Sequence, residues 1–141
     1  MSRSGYSDIE DNWAIIKYRG QVASAMRGKR GQAFLRDLAK AMDAMPKKAL
    51  IAHELQNDGC VCAIGSVGQA RGVDMSKLDP DDIETVAAKF DVAPQLAREV
   101  VYENDEGGGY VRETPEKRWS RMRDWVRRQI KQPPQEAQHN G

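Results

Sequence analysis

Residues 79–101 read DPDDIETVAAKFDVAPQLAREVV, and the reading of this stretch decides the fold class. Asp79, Pro80, Asp81 and Asp82 place a capping residue, a first-turn proline and carboxylates where a helix N-terminus favours them. Ile83, Val86, Ala87 and Phe90 then recur at three- and four-residue steps, so they share one face of a helix. Asp91-Val92-Ala93 interrupts the run, and Pro94 opens a second helix with Leu96, Ala97, Val100 and Val101 as its apolar positions. Two helices joined this closely have the spacing of a helix-turn-helix, although Asp91 stands where a glycine usually permits the turn. The stretch predicts a mainly α protein.

Upstream, Gly72 ends a helix over Ala63–Arg71, in which Gly65 and Gly68 let another backbone approach closely. Asn57-Asp58-Gly59 before Cys60-Val61-Cys62 is a turn signal and predicts a small β-hairpin within residues 48–62. Residues 49–55 are read as strand within this span, with a short helix as the alternative. A helix from Gln32, closed by Pro46, carries Phe34, Leu38, Ala41, Met42 and Met45 on one face. Ser7-Asp8-Ile9-Glu10 is a capping box. It opens a first helix whose inward stripe is expected to be Ile9, Trp13, Ile16, Gly20 and Ala23, widened by Tyr18, Val22 and Met26.

Downstream, Gly107-Gly108-Gly109 predicts a flexible loop. Thr114-Pro115-Glu116 then starts a last helix that buries Trp119, Met122, Trp125, Val126 and Ile130. From Gln132 onward the apolar residues needed to offset the entropy of ordering are missing, so residues 132–141 are expected to be a disordered tail. The expectation is one multi-helix domain over residues 1–131 with a small β-hairpin and that tail.

The chain has 141 residues and a net charge of +1, but its charges are segregated. Residues 1–48 hold ten Lys/Arg against five Asp/Glu, residues 49–111 four against twelve, and residues 112–131 eight against three. Basic ends flanking an acidic middle either pair within the fold or mark a partner surface. No apolar run approaches the ~20 residues of a membrane helix, and the N-terminus lacks the apolar core of a secretory signal. Cytoplasmic residence is expected. Cys60 and Cys62 are too close in sequence for an unstrained disulfide and read as small buried apolar groups.

Candidate sites are basic. Arg27, Lys29 and Arg30 lie among glycines just before a helix, where free backbone N–H groups and cations could hold an anion or a partner. Arg121, Arg123, Arg127 and Arg128 could track a phosphate backbone or a protein surface. If the helix-turn-helix segment read bases, Gln95 and Arg98 would do so, but the acids Glu103, Asp105 and Glu106 near its end would repel phosphates. His53, Cys60 and Cys62 lack a fourth metal ligand at useful spacing and a complete nucleophile, base and orienting set, so no metal, cofactor or catalytic residue is expected. The composition leaves two classes, a protein-binding module and, as the alternative, a nucleic-acid-binding protein; the oligomeric state is not readable.

Three segments, Ser2-Arg3-Ser4-Gly5-Tyr6-Ser7-Asp8, Arg27-Gly28-Lys29-Arg30-Gly31-Gln32-Ala33-Phe34-Leu35 and Tyr102-Glu103-Asn104-Asp105-Glu106, resemble small uncharacterised proteins encoded in bacteriophage and prophage genomes. The resemblance extends over most of the chain up to Ile130. Gly59-Cys60-Val61-Cys62-Ala63-Ile64-Gly65 is also similar to a Cys-Ala-Leu-Gly-Ala turn-to-helix segment of other uncharacterised bacterial proteins. The resemblance implies a phage context, and the host cytoplasm with it, but lends no known activity; an accessory role through binding is expected from the polarised charge and the lack of a coherent active site. The resemblance implies no catalytic residues.

Overall fold

A computed structural model describes Arg3, residues 12–109 and residues 112–131. The capping box at Ser7–Glu10, Ile9 and the tail from Gln132 lie outside the described residues. Within them are six helices and one two-stranded antiparallel sheet, the mainly α architecture that the sequence predicts.

Helices α1 (Asn12–Arg27) and α2 (Lys29–Ala44) form a hairpin. A Cβ on Gly31 would collide with the Ala25 carbonyl, so this glycine is what lets α2 turn back closely against α1. Strands β1 (Gln56–Asn57) and β2 (Cys60–Val61) pair with Asn57 opposite Cys60. Asp58 (φ 51°) and Gly59 (φ 80°) occupy the two positions of positive φ that a tight hairpin turn requires. The hairpin is shorter than the 48–62 span suggests, and residues 49–55 form neither strand nor helix apart from the Leu55–Cys62 hydrogen bond that extends it.

Helix α3 (Ala63–Arg71) ends at Gly72, left-handed at φ 70°. Gly65 lies under the Leu55 carbonyl, the backbone approach that its missing side chain permits, whereas Gly68 accommodates the side chain of Met75. Helix α4 (Ile83–Lys89) starts three residues later than the Asp79-Pro80 pattern suggests. The Asp79 carboxylate accepts from the Asp81 N–H and forms a separate turn, and Asp82 caps the helix by accepting from Thr85 N–H. Asp91 at φ 58° supplies the left-handed turn into α5 (Pro94–Glu106), a conformation that Asp tolerates better than most residues. Helix α6 (Pro115–Gln129) is capped by Thr114.

Helix α5 is the hub. It touches α1, α3, α4 and α6, and from Gln95 to Glu106 none of its residues is exposed. Its Leu96, Ala97, Val100 and Val101 meet Phe34, Leu38 and Met42 of α2, Ile64 and Val67 of α3, Phe90, and Met122 and Val126 of α6 in one apolar core.

Next on the same inward stripe as Leu96 and Val100 comes Asn104, 1% exposed. Its Oδ1 accepts from Ala63 N–H at 3.0 Å, and its Nδ2 donates to the Ile51 carbonyl at 3.0 Å and to Asp105 Oδ1 at 2.9 Å. Asp105 accepts two hydrogen bonds of 2.8 Å from the buried Arg3 guanidinium and one of 3.0 Å from His53 N–H. His53 adopts φ 72°, a strain that this bond helps to hold. The knot ties the irregular segment 50–62 and the N-terminal Arg3 to the hub helix.

Burial pushes the Asp105 carboxyl up, but the Arg3 hydrogen bonds and charge, with His53 and Asn104, outweigh it and hold the pKa below its ordinary value. A depressed carboxylate pKa stabilises the fold above the unfolded-state value, and that stability is lost as pH falls through the folded-state value. Urea unfolding at a series of pH values should therefore show stability falling below about pH 4. In Asp105→Asn this fall should be shallower and the neutral-pH stability lower. Asn104→Ala should cost about 3 kcal/mol at pH 7, because it orphans the Ala63 N–H and the Ile51 carbonyl together.

Candidate functional site

The first helix does not face the way its periodicity suggests. Its inward stripe is Ile15, Tyr18, Val22, Ala25 and Met26, whereas Trp13 is 72% and Ile16 60% exposed. Gly20, expected inward, is exposed, and a Cβ placed on it would meet nothing within 4 Å. The rotation of α1 has identifiable causes. Gly31 fixes its C-terminal end against α2, the Arg98 guanidinium lies 5.4 Å from the Tyr18 ring centroid, and Gln95 Nε2 donates to Gln21 Oε1 at 3.2 Å. Two apolar stripes of the same helical period compete on this helix, and contact with α5 selects the one centred on Tyr18 and Val22.

The outward stripe runs Trp13, Ile16, Gly20, Ala23, Arg27 and borders a groove of about 370 Å³ between α1, α5 and α6. Arg19, Val22, Ala23, Met26 and Arg27 of α1, Glu99 and Glu103 of α5, and Trp125 and Gln129 of α6 line it. Burial first, and the like charge of Glu99 second, raise the Glu103 pKa above its ordinary value, against the pull of Arg121, Arg128 and Arg19. Arg121 Nη1 lies 3.7 Å from Glu103 Oε1, so the groove sets its carboxylates among cations, beside Val22, Met26 and Trp125. A second cavity, of about 340 Å³, is lined by Met45, Pro46, Ile51, Cys60, Val61 and Pro115.

The structure disperses the basic residues that the sequence singles out. Arg123 makes a two-pronged bond of 2.8 Å to Asp43. Arg121 binds Glu113 at 2.7 and 2.9 Å and the Glu103 carbonyl at 2.7 Å. Arg127 lies 3.5 Å from Asp124 one turn earlier. Arg128 acts on Glu103 at the groove. Asp43, Glu113 and Asp124 lie in the basic thirds of the chain, so only part of this pairing is with the acidic middle. Arg27, Lys29 and Arg30 do stay together as an exposed cluster at the α1–α2 turn, with Arg30 3.7 Å from Asp91. Gln95 and Arg98 are half-buried and turned toward α1.

Cys62 is buried at the α3 N-cap, its Sγ accepting from Gly65 N–H at 3.4 Å. Cys60 is exposed, contrary to the expected burial, because the pleat of β2 turns Val61 inward and its neighbour outward. Among the described residues no group of three His, Cys, Asp or Glu could hold a metal ion. No helix among them is long and apolar enough to cross a membrane. The sequence reading missed the Arg3–Asn104–Asp105 knot; a polar residue at the next step of the Leu96–Val100 stripe was its visible signal. No protein-family model, curated protein or solved structure matches the chain.

These placements separate structural from surface residues. Trp13→Ala and Ile16→Ser should leave stability within about 0.5 kcal/mol of the parent, as surface changes do. Arg121→Ala, which removes two hydrogen bonds from the part-buried Glu113 carboxylate and leaves it Arg118 alone, should cost about 2 kcal/mol, while loss of the exposed Arg123–Asp43 pair should cost less than about 1 kcal/mol. Urea titrations of the four variants check the order.

Proposed function

We propose that the protein is a non-enzymatic accessory protein of the phage or prophage kind, acting in the host cytoplasm by binding a host or phage protein. The observation that carries this reading is the outward face of α1, where the Trp13 and Ile16 side chains keep most of their surface exposed among the described residues. Tryptophan is the commonest anchor of protein interfaces, because one side chain removes a large apolar area from water on binding. The exposed cations Arg27, Lys29 and Arg30 at the C-terminal end of the same helix give the face a basic rim, which suits a partner with acidic residues around an apolar centre.

A protein partner is favoured over nucleic acid by where the candidate residues point. Gln95 and Arg98 are engaged by α1, and the α6 arginines Arg121 and Arg123 are held by Glu113 and Asp43, which leaves fewer cations to neutralise phosphates. The phage context rests on the resemblance of the three segments quoted above.

An affinity pull-down from bacterial lysate, with and without nuclease, tests the reading. A specific protein retained after nuclease treatment and lost with Trp13→Ala bait is expected. Recovery of nucleic acid alone, all of it lost to nuclease, would reverse the choice between the two classes.

A further inference from the structure

We infer that the pocket around the Asp105 carboxylate is a guanidinium-binding site which the chain fills with its own Arg3, and that an arginine side chain supplied from outside takes the same seat and releases Arg3. The site is separate from the α1 face and does not rest on the reading of that face. Three observations carry it.

The first is that the seat is built without Arg3. The Asp105 side chain is 1% exposed, and its Oδ1 accepts from Asn104 Nδ2 at 2.9 Å and from His53 N–H at 3.0 Å. Asn104 is fixed in turn by the Ala63 N–H and the Ile51 carbonyl. Every one of these partners comes from α5, from the start of α3 or from the segment before the hairpin, so the carboxylate stays aimed when the arginine leaves. A buried carboxylate held in this way is a preorganised cation receptor, because little ordering is left for the ligand to impose.

The second is shape. Arg3 Nε donates to Asp105 Oδ2 and Nη2 to Oδ1, both at 2.8 Å, so two parallel bonds join two planar groups. An ammonium has no such fork. The far side of the same guanidinium lies beside the Cys62 side chain at the N-cap of α3, which a compact cation would leave untouched.

The third is how the present occupant is held. Arg3 Nη1 is buried with no partner among the described residues. A buried donor left unmet offsets much of what the fork contributes, so the pocket holds Arg3 less tightly than it would hold an arginine that brings an acceptor for this nitrogen. His53 Nδ1 lies 3.7 Å from Asp105 Oδ2 while its ring is 73% exposed. The seat is therefore one side chain below the surface, and a ligand reaches it without crossing the apolar core.

Thermal melts of full-length Arg3→Ala test the seat, with methylguanidinium, methylammonium or sodium chloride added at equal concentrations up to about 20 mM, too dilute to denature. Arg3→Ala should melt below the parent. Methylguanidinium should raise its midpoint with an affinity at least tenfold above that of methylammonium, and adding Asp105→Asn should abolish the rise. Exchange is read in the parent by NMR of arginine Nε–H groups, with the Arg3 signal assigned by Arg3→Lys. N-acetylarginine amide should displace that signal progressively while the backbone signals of α2 stay in place. A folded Arg3→Ala that responds to neither cation, or to both alike, overturns the inference, as does an Arg3 signal that no concentration of the arginine derivative moves. Should Arg3→Ala fail to fold, the titration of the parent decides alone.

Discussion

The architecture depends on the buried polar knot at the C-terminal half of α5, where Asn104 and Asp105 bind the backbone of Ile51, His53 and Ala63 and the Arg3 guanidinium. Residues 50–62 contain just four strand residues, and without these bonds their carbonyls and N–H groups would be buried unpaired against the helical core. Asn suits the position because it both donates and accepts. Its Oδ1 holds the first N–H of α3, and its Nδ2 holds a loop carbonyl. The neighbouring carboxylate draws in a buried guanidinium and the strained His53. Such a network stabilises only when every member is satisfied. Here the unmet group is Arg3 Nη1, which has no partner among the described residues.

With α5 enclosed in this way, the outer sides of α1, α2 and α6 carry much of the exposed surface. Helix α6 spends its arginines on Asp43, Glu113 and backbone carbonyls, and these contacts fix it across α2. Helix α1 contributes less to the core than its apolar content would allow. Val22 and Met26 are buried, while Trp13 and Ile16 extend into solvent from the opposite side. That surplus of apolar surface on a helix already held by Tyr18, Gln21 and Met26 is the physical basis of the proposed docking face.

Much of the fold was legible in the sequence, for reasons that are local. The Asp58-Gly59 pair can turn a hairpin almost unaided, the Pro-Glu and Thr-Pro signals start α6, and α2 carries a single dominant apolar stripe from Phe34 to Met42. The facing of α1 was not legible, because its sequence holds two stripes of one period and the choice is made by Arg98 and Gln95 more than seventy residues away. The start of α4 was misplaced because Asp79 and Asp82 are equally good caps, and the competing turn at Asp79 takes the first. The basic residues were visible as charge, but their acid partners lie as far as eighty residues off, as Asp43 does from Arg123. The knot was hidden for the same reason: Arg3 and Asp105 meet across 102 residues.

The central claim is that α1 presents Trp13 outward as an anchor for a partner. Fluorine NMR of fluorotryptophan-labelled protein tests it directly, with the Trp13 signal assigned by Trp13→Phe and its exposure read from the shift between H2O and D2O. The account predicts that in dilute solution Trp13 shows the largest solvent shift of the three tryptophans, and that this shift shrinks as the partner site fills. A Trp13 signal already shielded in the dilute, single-chain protein would contradict it, since the indole would then belong to the core.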